Sequence, residues 1–112
     1  MLNVVFRRDS LDRLSSVFAR GHVELAESSS DEYSLVCAAV SAILQAARLG
    51  LEAHVKLPLD ASQRSGDLAL RWPARSREDE RVVAIVETAR LAVEQIARQY
   101  PQHVEVSVES EP

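Results

Sequence analysis

The run from Ser34 to Leu49, SLVCAAVSAILQAARL, decides how the rest of the chain is read. It is rich in Ala and Leu and carries no charge before Arg48. Gly50 follows it, the residue type that most readily takes the left-handed conformation closing a helix. The spacing therefore predicts a helix over 34–49. At about 100° per residue, Ser34, Cys37, Ser41, Gln45 and Arg48 fall within an arc of about 80°. Nearly everything else in the run is Leu, Val, Ile or Ala. Such a helix is expected to be buried over most of its circumference, with one narrow polar line that starts at its N-terminal end.

Outward from this helix the pattern changes period. Leu2, Val4 and Phe6 alternate with other residues as in a strand, which stops at the turn-like Asp9-Ser10-Leu11-Asp12. Leu14 to Arg20 is expected to return as a second strand, with Gly21-His22 at its end. Val23 to Asp31 turns polar, and Ser28-Ser29-Ser30-Asp31 reads as a loop. Beyond the helix, Ala53, Val55 and Leu57 alternate, as do Leu68, Leu70 and Trp72, which predicts a hairpin connected by Pro58 to Gly66. A second helix is expected from about Glu78 to Gln99, with Val82, Val86, Ala89, Val93, Ile96 and Tyr100 on one face and Glu87, Glu94 and Arg98 on the other. Pro101 stops it, and Val104, Val106 and Val108 suggest a last strand. The expected fold is α+β, a small two-layer domain with a mainly antiparallel sheet and two helices in the order β-β-α-β-β-α-β. Residues 1–108 form this single domain, and 109–112 read as a short tail.

Composition narrows the function. The 112 residues are 46% hydrophobic and 27% charged, which suits one small domain rather than a disordered tail. With five aromatic residues, Ala, Val, Leu and Ile must supply most of the packing, and self-association would help so small a core. The longest uncharged run, Tyr33 to Ala47, has fifteen residues. That falls short of the roughly 20 apolar residues a membrane-spanning helix needs, so no membrane span is expected. Met1 to Arg8 lacks the apolar core of a secretory signal, and a cytosolic protein is expected. A net charge of −4 argues against nucleic-acid binding and is compatible with a basic protein partner. Cys37 is the single cysteine, so no intrachain disulfide forms. The three histidines, His22, His54 and His103, match no zinc spacing, and no metal or other cofactor is expected.

Cys37 is the reactive candidate on the polar line. With Ser34 as N-cap it occupies the third helical position, in the turn whose unpaired N–H groups and dipole favour an anion and so lower a thiol pKa. Acyl transfer by a thiolate needs a proton partner, and His22, at the end of a strand fifteen residues earlier, is the best available. The bland readings stand beside this one. A lone Cys in an Ala-rich helix is ordinarily a small buried hydrophobe, and a lone Gly-His ordinarily a turn. His54 and His103 read most simply as solvent-facing members of strand alternation, and Arg75 to Arg81 as a solvated charge run.

Gly21-His22-Val23, a loop, and then Leu35-Val36-Cys37-Ala38-Ala39-Val40-Ser41-Ala42 resemble the ribosomal-processing cysteine protease family, Prp. Its pattern is a Gly-His-Ala step followed by Asp-Ile-Val-Cys-Ala-Ala-Val-Ser. The resemblance extends over nearly the whole chain, through the N-terminal hairpin, the long second helix and the Tyr100-Pro101 exit into a last strand. It implies a Cys-His endopeptidase that removes the N-terminal extension of large-subunit ribosomal protein twenty-seven. Cys37 is then the nucleophile, His22 the general base, and Ser41 the family's serine one turn after the nucleophile. The resemblance also implies a homodimer and a loop between the two catalytic residues that shapes the substrate site, here about 23–33. Two departures stand out: the family's Asp three residues before the nucleophile is Ser34, and the loop is longer. Ser34 still suits a helix cap but lacks a charge to orient an imidazolium, a part for which Asp31 or Glu32 is the candidate substitute. The rival readings are a catalytically inactive, ribosome-associated binding module of the same fold, and a thiol redox sensor, which the absence of a resolving cysteine disfavours.

Overall fold

Leu2, Val4 and Phe6 are buried while Asn3 and Arg7 are exposed, so β1 (Leu2–Arg8) presents one face to a core and the other to solvent. This strand lies inside the sheet of a computed structural model that describes residues 1–21 and 31–112. β2 (Leu14–Gly21) returns antiparallel to β1, with Val4 opposite Ala19 and Phe6 opposite Val17. β3 (Asp60–Arg64) and β4 (Asp67–Arg71) form a hairpin whose second strand pairs antiparallel with β2. β5 (Val104–Ser110) lies on the other side of β1 and runs parallel to it. Among the described residues the sheet has the order β3-β4-β2-β1-β5.

The helices α1 (Asp31–Leu49) and α2 (Glu80–Gln99) supply the second layer. Val36, Val40 and Leu44 of α1 and Val82, Val86 and Val93 of α2 join Leu2, Val4 and Phe6 in one buried cluster. The opposite sheet face carries exposed Asn3, Arg20, Arg71 and Glu105, and there the Arg20 guanidinium lies 5.1 Å from the Phe18 ring centroid. The result is the expected two-layer α+β fold in the expected order, with one parallel pairing in a mainly antiparallel sheet. α2 carries the chain from the β3–β4 side of the sheet across to its far edge.

Three local expectations are corrected. The first strand of the hairpin is not 53–57 but Asp60–Arg64, inside the stretch read as a connecting loop. The alternating Ala53, Val55 and Leu57 follow a continued helix instead. Past Leu49 the backbone widens into a π-helical turn, Gly50–His54, in which the Val55 amide bonds the Gly50 carbonyl at 3.0 Å. Gly50 marks a close approach of α2 rather than a helix stop, since a Cβ there would sit 3.2 Å from Ile85 Cδ1. The true turn of the hairpin is Ser65-Gly66, where Gly66 has φ 83°, open to glycine at little cost. Finally, the expected tail 109–112 is in part structured: β5 continues through Ser110, and Glu111 accepts from Ser15 Oγ at 2.6 Å and pairs with Arg71.

α1 and its π-turn together, Asp31–His54, are long and apolar enough by composition to cross a membrane, which the fifteen-residue run did not suggest. Here the segment packs on the sheet, with Val36, Val40, Leu44, Ala47 and Leu51 buried. At the opposite end of the molecule a polar cluster closes the β1–β2 turn. The buried Arg77 guanidinium donates to the Trp72 carbonyl at 2.8 and 3.2 Å and to Asp9 at 3.1 Å, while Arg13 pairs with the same carboxylate at 3.0 Å. Trp72, buried beside it, donates its indole N–H to the Leu14 carbonyl at 2.8 Å. Arg77 thus belongs to the core and not to a solvated charge run.

Candidate active site

The polar line read from the sequence faces a groove of about 380 Å³ between α1 and the β3–β4 hairpin. Leu2, Ala19, Val40, Leu44 and Leu68 form its apolar floor, and Tyr33, Ser34, Cys37, Ser41 and Gln45 form the helix wall. Gln63, Arg64, Gly66 and Asp67 supply the facing rim. The stripe exists because these positions recur at three and four residues, so each stands about one turn above the last on the same side of the helix. Arg48 completes it, bonded to Glu52 at 2.8 Å and to Gln63 at 3.4 Å. Cys37 is half-buried, packs against the core and lines the groove.

One part of the chemistry read from the sequence changes. α1 begins at Asp31, not at Ser34, so Cys37 is in its second turn rather than at its mouth. The unpaired N–H groups of the helix are those of its first four residues, and the amide of Cys37 lies past them. Neither thiolate stabilisation nor an oxyanion site can be drawn from the helix end at Cys37. Among the described residues, the hydroxyls of Ser34 and Ser41 stand one turn to either side of the thiol on the groove wall.

Asp31 is exposed at the start of α1 and is not among the groove-lining residues. Glu32 is engaged elsewhere, accepting from His103 Nε2 at 2.7 Å and from Gln102 at 3.3 Å. His22 lies outside the described residues, as does most of the loop 23–33. Gly21, the residue before it, lines the groove and donates its amide to the Gly66 carbonyl at 2.7 Å. His54 is exposed in the π-turn. His103 is no solvent-facing strand residue: it precedes β5, and its ring packs against Tyr33 with centroids 5.5 Å apart. Among the described residues no group of three His, Cys, Asp or Glu side chains is placed to hold a metal ion.

The hairpin rim was missed from the sequence, because Asp60–Arg64 shows no alternation of apolar and polar residues. The signal that would have found it is the Ser65-Gly66 step, a turn dipeptide just before the alternation of Leu68, Leu70 and Trp72.

The structure is similar to that of SMU.848 from Streptococcus mutans, with 23% identity over 99% of this chain and 96% of that one and a TM-score of 0.82. It is equally similar to the ribosomal processing protease Prp from S. aureus in complex with a substrate peptide, at 15% identity over 96% of this chain and 99% of that one, with a TM-score of 0.83. No curated protein matches the chain. The family model described as cysteine protease Prp matches residues 1–105, which contain the whole groove, and the chain therefore belongs to that family of cysteine proteases.

Proposed function

We propose that this chain is an active Cys-His endopeptidase that removes the N-terminal extension of large-subunit ribosomal protein twenty-seven in the cytoplasm. The observation that carries this reading is the placement of Cys37 on the wall of a groove whose floor is apolar and whose rim is polar, with Gly21, adjacent to His22 in sequence, lining the same groove. In the proposed reaction the Cys37 thiolate adds to a substrate carbonyl, and His22 protonates the departing amine as the thioester forms. Water then hydrolyses the thioester with His22 as base. Ser34 and Ser41 flank the nucleophile as hydrogen-bond donors to the developing oxyanion, a part that preorganised side chains can fill as well as backbone amides.

The protein acts as a homodimer in this reading. α1 is apolar on its outer side as well as its inner one, leaving Leu35 at 71% and Leu49 at 65% exposure in line with Ala38, Ala42 and Ala46. Large exposed apolar faces of this kind mark protein contacts. The negative surface suits a basic ribosomal substrate and offers nothing to nucleic acid. The test is incubation of the wild-type and Cys37→Ala proteins with the ribosomal protein precursor from the same organism. Cleavage by the first and not the second is expected; binding of an uncut precursor by the wild type would leave the inactive module, and cleavage by Cys37→Ala would exclude the mechanism. Sedimentation of the wild type gives the oligomeric state.

A further inference from the structure

The polar wall of the groove continues past the thiol. Gln45 stands eight residues beyond Cys37 on α1, about 12 Å along the axis at the usual rise per residue. Its Nε2 donates across the groove to Oε1 of Gln63 on β3 at 2.9 Å. Arg48 Nη1 donates to the same oxygen at 3.4 Å, while Arg48 Nε is held by Glu52 at 2.8 Å. The Gln63 oxygen is thus occupied from two sides and the crossing is braced. The other half of each amide is not used: among the described residues Gln45 Oε1 and Gln63 Nε2 have no partner.

One open acceptor beside one open donor is the complement of what a single residue of an extended chain presents on one edge, its own N–H and C=O. The floor beneath is apolar, with Val40, Leu44 and Leu68, so a peptide lying there gives up water on one side and gains hydrogen bonds on the other. An extended chain advances about 3.3 Å per residue, so the crossing is met about three to four residues from the bond that lies at Cys37. We propose that Gln45 and Gln63 form a clamp for the main chain of an extended peptide, reading backbone and not side chain at that position. The assignment rests on the protease reading only in taking Cys37 as the mark of the scissile bond. It predicts a substrate segment that is unfolded for at least that distance and tolerant of side-chain change at the clamp.

The test uses the Cys37→Ala protein, which holds peptide without turnover. Octapeptides are selected from a randomised library for binding to it, and each backbone amide of the tightest binder is replaced in turn by an ester, which removes one N–H. One position is expected to lose roughly five- to tenfold in Kd, the size of one net hydrogen bond. In the Cys37→Ala, Gln45→Ala, Gln63→Ala protein that same ester is expected to cost nothing further, while melting temperature is unchanged. Loss at every position alike, an equal ester penalty in both proteins, or selection of no peptide at all would overturn the clamp and reduce Gln45–Gln63 to a tie between α1 and the hairpin. Cleavage of the ribosomal precursor by the wild type is scored separately. Its failure would remove the substrate assignment while the ester scan still decides the clamp.

Discussion

The two ends of the sheet treat polar groups in opposite ways. At the β1–β2 turn, Asp9, Arg13, Arg77 and the Trp72 carbonyl close on one another, and Ser15, Arg71 and Glu111 do the same beside them. At the groove, Ser34, Ser41, Gln45, Gln63 and Arg64 line open space, and Arg64 has no ion pair among the described residues. A saturated cluster has nothing left to offer a ligand, so its worth is structural; exposed groups with spare donors and acceptors are held only by water and can exchange it for a ligand. The difference separates scaffold from site without reference to any relative, and it can be broken from either side.

The largest effect is expected at the thiol. Cys37→Ala should lower kcat/KM by about 10⁴-fold or more, as loss of a nucleophile does, while the melting temperature moves by only about 2 °C, since Cys37 is half-buried and loses one small atom. At the other end the pattern should reverse. Arg77→Ala removes both side-chain donors of the buried Trp72 carbonyl and one of the two guanidinium partners of Asp9, which keeps Arg13, and melting should fall by on the order of 10 °C. Activity below that temperature should stay within about twofold of wild type, because no residue of the cluster lines the groove. Comparable loss of activity in Arg77→Ala would show that the two ends are coupled.

Much of this division was legible in the sequence. Alternation placed β1, β2 and β5, and the 3.6 period placed α2 and the line Ser34, Cys37, Ser41, Gln45, which does face one groove. β3 escaped because an edge strand with most residues exposed needs no apolar face, so Asp60–Arg64 carries none. Ala53, Val55 and Leu57 alternate, yet Ala53 lies within the π-turn and the other two just past it, since Leu51 is wholly buried and holds the chain on the core. The start of α1 was placed three residues late. Asp31 and Glu32 are acids suited to a first helical turn, but the sequence could not show that Glu32 would be paired with His103, seventy-one positions away. Arg77 looked like surface charge because its burial depends on Asp9, on the far side of the chain.

Acid should act on the saturated end first. Burial alone would raise the Asp9 carboxyl, but hydrogen bonds from the Arg13 amide and side chain and from Arg77 outweigh it and hold the group well below the usual carboxylate range. Glu111 is lowered too, by its bonds from Arg71 and Ser15. Groups depressed in the folded state give stability that is complete above their unfolded values, near 4, and is lost as pH falls below that toward the folded values. The urea midpoint of the wild type should therefore hold down to about pH 4 and fall increasingly steeply below it. In Asp9→Asn it should start lower and fall less; parallel curves would show that the cluster does not set acid stability.

Asp79 gives a smaller effect of the same sign. Its side chain caps α2, accepting from the Arg81 amide at 2.9 Å, and the bonds from the Arg81 side chain and amide hold its carboxyl down to about 2. Asp79→Ala should lower melting by about 4 °C at neutral pH, the usual scale of a lost cap, and Asp79→Asn by less because the amide oxygen still accepts.

The smallest effect tests where the comparison blurs, at Glu32–His103, a closed pair beside the open site. The bond ties the first turn of α1 to the residue before β5, and the Tyr33 ring that packs on His103 also lines the groove. An exposed pair of this kind adds little stability, so His103→Ala should shift melting by no more than about 2 °C. If the pair serves only as a strut, kcat/KM should not change. If it sets the position of Tyr33 at the rim, KM should rise about two- to threefold with kcat unaltered, since a groove wall contributes to binding equally in the ground state and the transition state. Tyr33→Ala should reproduce the KM change without disturbing the Glu32–His103 bond. A matching rise in the His103 and Tyr33 truncations would place the boundary between scaffold and site at this ring.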